Sequence, residues 1–217
     1  MNQPAADHEG MAAFLLRMRS IGLEDRALFQ AIEATPRRSF VPAQFASLAM
    51  SEGMLPIDCG EAIEGIDLQA RIISALSLDP THRVLEVGTG TGFTAAVIAR
   101  LSQRVVTMER YRTLTQQARQ RIEALGILNV STRHADGSNG LIVEGPYDRI
   151  VVWAAFEGMP RIFVEQLASG GVLIAPIGPP ESPQAVARLT KVGSRFDRED
   201  ICTARLQPLA DGLAAFL

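Results

Sequence analysis

The stretch Val84-Leu85-Glu86-Val87-Gly88-Thr89-Gly90-Thr91-Gly92-Phe93 constrains this chain more than any other. A short apolar run ends in three alternate glycines and passes at once into a helical pattern. The chain must therefore leave a buried strand, turn where side chains do not fit, and start a helix. Such a unit needs neighbours to complete a sheet. The short segments 83–87, 105–108, 130–133, 149–153 and 172–177 read as strands, and the patterns 93–101, 114–125 and 160–167 between them read as helices. That alternation predicts an α/β fold with a doubly wound, mostly parallel sheet. Two last segments, 185–192 and 200–206, joined through a turn region with Gly193, predict an antiparallel edge.

Ahead of residue 80 the spacing is helical, with Phe14, Leu15 and Met18, then Ala27, Leu28, Ala31 and Ile32 before the Pro36 break. Residues 51–65 read as a loop, and 66–78 as a helix ended by Asp79-Pro80. The expected organisation is an N-terminal helical segment with a ligand loop, 1–79, and a sheet domain, 80–217, packed as one compact unit.

Composition narrows the chemistry. With 217 residues, 47% hydrophobic and 21% charged, the chain buries a full core, and disordered or fibrous architectures are excluded. Its 21 basic and 24 acidic residues give a net charge of −3, so no global positive field draws it to nucleic acid or anionic lipid. Arg100, Arg104, Arg110, Arg112, Arg119 and Arg121 gather in one region, yet lack interleaved aromatics and read as a solvated face. Lys191 is the only lysine, which removes most Schiff-base chemistry. Cys59 and Cys202 form no CxxC, and His8, His82 and His134 have no metal-ligand spacing. No metal is expected. The longest apolar run, 150–156, is far too short to span a bilayer, so a cytoplasmic monomer without membrane or nucleic-acid partners is expected.

A dinucleotide fingerprint, GxGxxG, would place glycine at 93, where this chain has Phe93. Glu86 at the loop would repel a pyrophosphate and suit a ligand bearing an ammonium group. Glu109 closes the second strand about twenty residues past the first glycine, the expected place for an acid that accepts two ribose hydroxyls. After the third strand, Asp136 and the Gly137 backbone are placed to read an adenine edge, although an ordinary Asx turn has the same sequence.

With these residues in view, the chain resembles the class I S-adenosylmethionine-dependent methyltransferases, and more narrowly the protein-L-isoaspartate O-methyltransferase family. The similarity runs through Phe40-Val41-Pro42, Leu55-Pro56-Ile57, the glycine loop, Asp136-Gly137-Ser138, residues 146–150, Gly170-Gly171 and a tail at 205–209. It implies a Rossmann-like fold, S-adenosyl-L-methionine as cofactor, and isoaspartyl residues of damaged proteins or peptides as acceptor. By the same resemblance Glu86, Gly88, Thr89, Gly90 and Gly92 would hold the methionine end, Glu109 with Arg110 the ribose, and Asp136 with Gly137 the adenine.

One loop departs from the family. Where relatives carry Gly-Gln-Thr-Ile-Ser-x-Pro, this chain reads Gly60-Glu61-Ala62-Ile63-Glu64-Gly65-Ile66. An ionised carboxylate at position 64 would repel an acceptor carboxylate by roughly 4 kcal/mol at about 4 Å and an effective dielectric near 20. Glu64 is thus a candidate catalytic residue, as a base toward a hydroxyl or amine or as an orienting group for a cation, or it is a solvated loop side chain. The alternatives to isoaspartyl transfer are a diverged methyltransferase with another protein or small-molecule acceptor, and a cofactor-binding protein without turnover. Two flanking features matter less. Trp153-Ala154-Ala155-Phe156 follows the fourth strand where such sheets bind ligands, so the small alanines leave room for a substrate or Trp153 simply packs in the core, and Cys59 reads as an apolar filler.

Overall fold

The computed structural model describes residues 3–193 and 195–214, with side chains from His8 onward. Two helices open the chain, α1 (Gln3–Ser20) and α2 (Arg26–Glu33), the second capped by Asp25, whose carboxylate accepts from the Leu28 backbone N–H at 2.9 Å. A small hairpin follows, β1 (Leu55–Pro56) and β2 (Ala62–Ile63), and then α3 (Ile66–Ala75). Strands and helices then alternate through β3 (Arg83–Val87), α4 (Phe93–Ala99), β4 (Arg104–Glu109), α5 (Arg112–Ala124), β5 (Val130–His134), β6 (Tyr147–Val152), α6 (Arg161–Val164) and β7 (Leu167–Ile177). A long hairpin, β8 (Gln184–Val192) and β9 (Arg195–Ala204), completes the sheet.

The seven-stranded sheet has the order β5-β4-β3-β6-β7-β8-β9, parallel through β7 and antiparallel for β8 and β9. From β3 the chain runs outward to β4 and β5, then returns to the other side of β3 as β6. The strand order therefore reverses between β3 and β6, and a crevice forms beyond their carboxyl ends. Residues 84–87 and 105–109 are buried, as strands covered on both faces require.

One sheet face carries a core in which Phe14, Leu28, Phe40 and Ile72 of the N-terminal segment pack with Val84, Phe93, Val97 and Val151. On the opposite face Leu85, Val106, Ile150, Phe163 and Leu173 pack together. Segment 1–79 thus shares the core of the sheet domain. Arg100 reinforces the junction, its Nε donating to Thr35 Oγ1 at 2.8 Å.

Three elements differ from expectation. The helix expected over 160–167 is a single turn, because β7 starts at Leu167 and its Ala168–Gly171 irregularity is absorbed between Tyr147 and Arg149 of β6. β9 begins five residues before the expected strand, since its charged first half, Arg195 to Asp200, lies on the open edge where apolar alternation is unnecessary. Finally, α1 extends back through the polar N-terminal residues that show no apolar period.

Candidate functional site

A cavity of about 270 Å³ opens at the crevice between β3 and β6. Its floor is the glycine loop after β3. The end of β4 (Glu109, Arg110, Tyr111), Gly137 after β5, and Trp153 and Ala154 after β6 form one side. The hairpin with Glu61 and Glu64 closes another, and residues 207–210 of the C-terminal segment close the last.

The loop conformation explains its glycines. Gly88 has φ +94° and donates its N–H to Met108 O at 2.9 Å, and a Cβ there would stand 3.1 Å from Trp153 Cβ. Gly90 donates to Glu109 Oε2 at 2.9 Å, while Tyr111 N–H donates to Glu109 Oε1 at 3.1 Å. Glu109, 7% exposed, therefore ties the loop to the end of β4. A carboxylate has four acceptor positions, so Glu109 keeps acceptor capacity for a hydroxyl in the cavity beyond its backbone donors. Burial pushes this carboxyl upward, against the downward pull of the Gly90, Tyr111 and Arg110 backbone donors.

Three expected contact residues lie one layer behind the wall. Glu86 is fully buried and accepts from Thr94 Oγ1 at 2.6 Å, Thr107 Oγ1 at 2.7 Å and Trp153 Nε1 at 3.0 Å. Burial raises its carboxyl to about 7 in spite of those bonds. Thr107 also bonds Thr89 Oγ1 at 2.6 Å, so a hydroxyl chain connects Glu86 to the loop. Gly92 lets α4 press on α5, since a Cβ there would lie 2.9 Å from Ala118 Cβ. Asp136 accepts from Ser138 N–H at 2.9 Å and from the Gly212 backbone, as an Asx turn does, and leaves Gly137 on the wall. Thr89, Gly88, Gly90, Glu109 and Arg110 do reach the cavity.

The departing loop also reaches it. Arg37, 2% exposed, donates to the Glu64 carbonyl at 2.6 Å, to Gln69 Oε1 at 3.2 Å and to Ala49 O, with its guanidinium 5.3 Å from the Phe93 ring centroid. Burial lowers this guanidinium to about 10. With its backbone so held, half-buried Glu64 turns its carboxyl to the wall beside Gln69. Desolvation raises Glu64 to about 7, against its own N–H, the Gln69 amide and Arg37, and with Glu86 adding to the rise.

Residue-by-residue reading missed Arg37, Tyr111 and the segment 207–210. Arg37 sits in a polar Pro-Arg-Arg-Ser run that gives no sign of burial, and the C-terminal segment meets the cavity only through long-range pairing, Ala155 N–H to Gln207 O at 2.8 Å and Leu209 N–H to Ala155 O at 3.0 Å. Trp153 and Ala154 were legible from their position after β6. The arginine group is only partly a solvated face: Arg119 binds Thr132, Arg121 reaches Thr91 O, and Arg104 pairs with Glu144. Among the described residues no cluster of ligating side chains could hold a metal, and no helix is long and apolar enough to cross a membrane.

Comparison with known proteins places this geometry in a family. The model of the protein-L-isoaspartate(D-aspartate) O-methyltransferase family matches residues 11–214. The chain is 45% identical over 202 residues to a protein-L-isoaspartate O-methyltransferase of Rhizobium meliloti, covering 93% of this chain and 99% of that protein. It is 42% identical to the Azorhizobium caulinodans protein of the same name, over the full length of both. A solved protein-L-isoaspartate O-methyltransferase superposes with a TM-score of 0.80 at 26% identity, covering 94% of this chain and 67% of that one. A Plasmodium falciparum structure in complex with S-adenosyl-L-homocysteine shares the fold, with a TM-score of 0.76 at 22% identity and coverage of 91% and 97%.

Proposed function

The chain belongs to the protein-L-isoaspartate(D-aspartate) O-methyltransferase family, and from that premise we propose that it transfers a methyl group from S-adenosylmethionine to the free carboxylate of an isoaspartyl residue in a protein or peptide. The observation that carries the reading is that one cavity joins the glycine loop, Glu109 and the hairpin loop that ends at Glu64. A nucleoside end and an acceptor end thus share a single enclosure.

The residues present suit the cofactor. Glu109 offers its remaining acceptor capacity to the ribose hydroxyls, Gly88, Thr89 and Gly90 give a floor without bulk for the methionine portion, and Gly137 leaves room for adenine. Arg110 lies on the wall with its Nε buried and without a hydrogen-bond partner among the described residues, a donor suited to an acceptor atom of the ligand. Glu86 works from behind, supplying negative potential toward a ligand ammonium through Thr107 and Thr89, and Gly92 and Asp136 hold the loop and turn that shape the wall. When bound, S-adenosylmethionine supplies an electrophilic methyl on a positively charged sulfur. The acceptor carboxylate is already ionised at neutral pH, so the chain needs no base. It needs alignment, proximity and exclusion of water. Trp153, Ile57, Ile63 and Leu209 provide an apolar rim that dehydrates the acceptor.

A second reading has a specific observation behind it. Glu61 and Glu64 both reach the wall, and Ala62 removes a hydroxyl, which makes the acceptor end acidic and suited to an amine or hydroxyl acceptor. The test is incubation with labelled S-adenosylmethionine and an isoaspartyl peptide, with the aspartyl isomer as control. Base-labile label on the isoaspartyl peptide alone is expected. Label in neither peptide, alongside tight S-adenosylhomocysteine binding, would turn the assignment to the second reading.

A further inference from the structure

We propose that Glu64 grips the acceptor carboxylate as a carboxylic acid, donating its O–H to that anion, so that acceptor affinity in this protein is set by a proton. The inference rests on the carboxyl transfer proposed above and concerns only its acceptor end.

Arg37 and Gln69 set the hydrogen-bond roles around Glu64. Arginine only donates, so the Gln69 oxygen faces Arg37 and its NH₂ faces Glu64. The Glu64 oxygen next to Gln69 must accept. With its own N–H and the Gln69 amide as donors to a carboxyl that has four acceptor positions, Glu64 keeps a position for a proton directed to a ligand in the cavity. The Glu64 backbone is fixed at the cavity wall, because its carbonyl is held by Arg37 and the following Gly65 lies too close to the Glu52 backbone for a Cβ. Ionised, it would oppose an acceptor carboxylate; protonated, it makes a charge-assisted bond to one.

The surrounding charges favour protonation when the acceptor arrives. Arg37, on its 3-10 turn, holds Glu64 toward the anion, but Asp67 of α3 also draws on that guanidinium. Glu86 of β3 acts in the opposite sense from behind. Across the cavity the wall presents Glu61, Glu109, Arg110 and Tyr111. Glu64 already lies near 7 from burial, and a second carboxylate brought alongside raises it further. In the transfer, a lone pair of the acceptor oxygen forms the new C–O bond, the sulfur–methyl bond breaks with its pair left on sulfur, and the two opposite charges cancel. Glu64 keeps its proton throughout.

The test is calorimetric titration of an isoaspartyl peptide into protein saturated with S-adenosylhomocysteine, at pH 8, in two buffers of different ionisation enthalpy. Wild type is expected to take up close to one proton per peptide bound. Glu64→Gln, whose amide donates at every pH, is expected to bind with no uptake. In steady state, wild-type KM for the peptide rises by about tenfold per pH unit above the Glu64 range with kcat unchanged, and the Glu64→Gln profile is flat. Glu64→Ser provides a second variant without a titrating group, and its profile is flat too. Binding without proton uptake in wild type, or equal uptake in wild type and the variants, overturns the proposal. Failure of the underlying reading looks different: neither wild type nor Glu64→Gln forms ester on the isoaspartyl peptide, and both inferences fall together.

Discussion

Glu86 shows how a single side chain carries tension between stability and function. Its carboxyl is enclosed by Thr94, Thr107 and Trp153, all donating, and burial holds it near 7. An acid raised in the folded state contributes stability that is present below its unfolded value, near 4.5, and lost as pH rises through about 7. A rise from 4.5 to about 7 corresponds to a loss on the order of 3 kcal/mol, with Glu64 acting in the same direction. We therefore expect urea unfolding to show lower stability at pH 8 than at pH 5. Glu86→Gln should flatten part of that slope, because Thr107 can reverse its hydroxyl to accept from the new amide while still bonded to Thr89. The same variant should bind S-adenosylhomocysteine more weakly, having lost the negative potential behind the loop. If Glu86→Gln leaves the pH dependence of stability unchanged, the carboxyl is not the strained group described. The acid itself was legible in the sequence beside the glycines. Its partners were not, since they come from α4, β4 and the residue after β6, and only the parallel register brings them together.

At the scale of elements, the acceptor end depends on how the hairpin meets α3. Ile66 N–H donates to Ser51 O at 3.1 Å, and a Cβ on Gly65 would lie 1.9 Å from the Glu52 carbonyl oxygen, a backbone atom that cannot rotate away. Gly65→Ala should cost about 2–3 kcal/mol in thermal or urea unfolding and raise KM for peptide more than for S-adenosylmethionine, since Glu64 is displaced first. The C-terminal segment closes the other side through Ala155 and through Ala214 N–H to Arg110 O at 3.2 Å. Ending the chain after Leu206 keeps the Leu206 N–H bond to Gln184 but removes residues 207–210 from the wall. The truncated protein should keep its circular dichroism and lose at least tenfold in S-adenosylhomocysteine affinity by calorimetry. The central strands β3, β4 and β6 were readable because burial on both faces leaves short, nearly unbroken apolar runs. The edge strand β9 and the one-turn α6 were not. Solvent on one side of an edge removes the pattern that marks a strand, and β7 consumes residues whose local preference is helical.

Across the whole molecule, six separated segments meet at one cavity, and the helices of residues 1–79 share a core with the sheet that carries the glycine loop. A ligand filling the cavity therefore bridges the sheet, the hairpin and the C-terminal segment. Linkage then predicts a stabilisation of the complete chain rather than of one loop. At a hundred times its Kd, S-adenosylhomocysteine should add about 2.7 kcal/mol, equivalent to roughly 5–10 °C in Tm for a domain of this size. NAD at the same concentration should add nothing, because Phe93 stands where a dinucleotide loop needs its last glycine and Glu86 opposes a pyrophosphate. Differential scanning calorimetry with each ligand checks both. One transition moving as a unit with S-adenosylhomocysteine is expected; a split transition, with only part of the chain responding, would mean that residues 1–79 melt independently of the sheet.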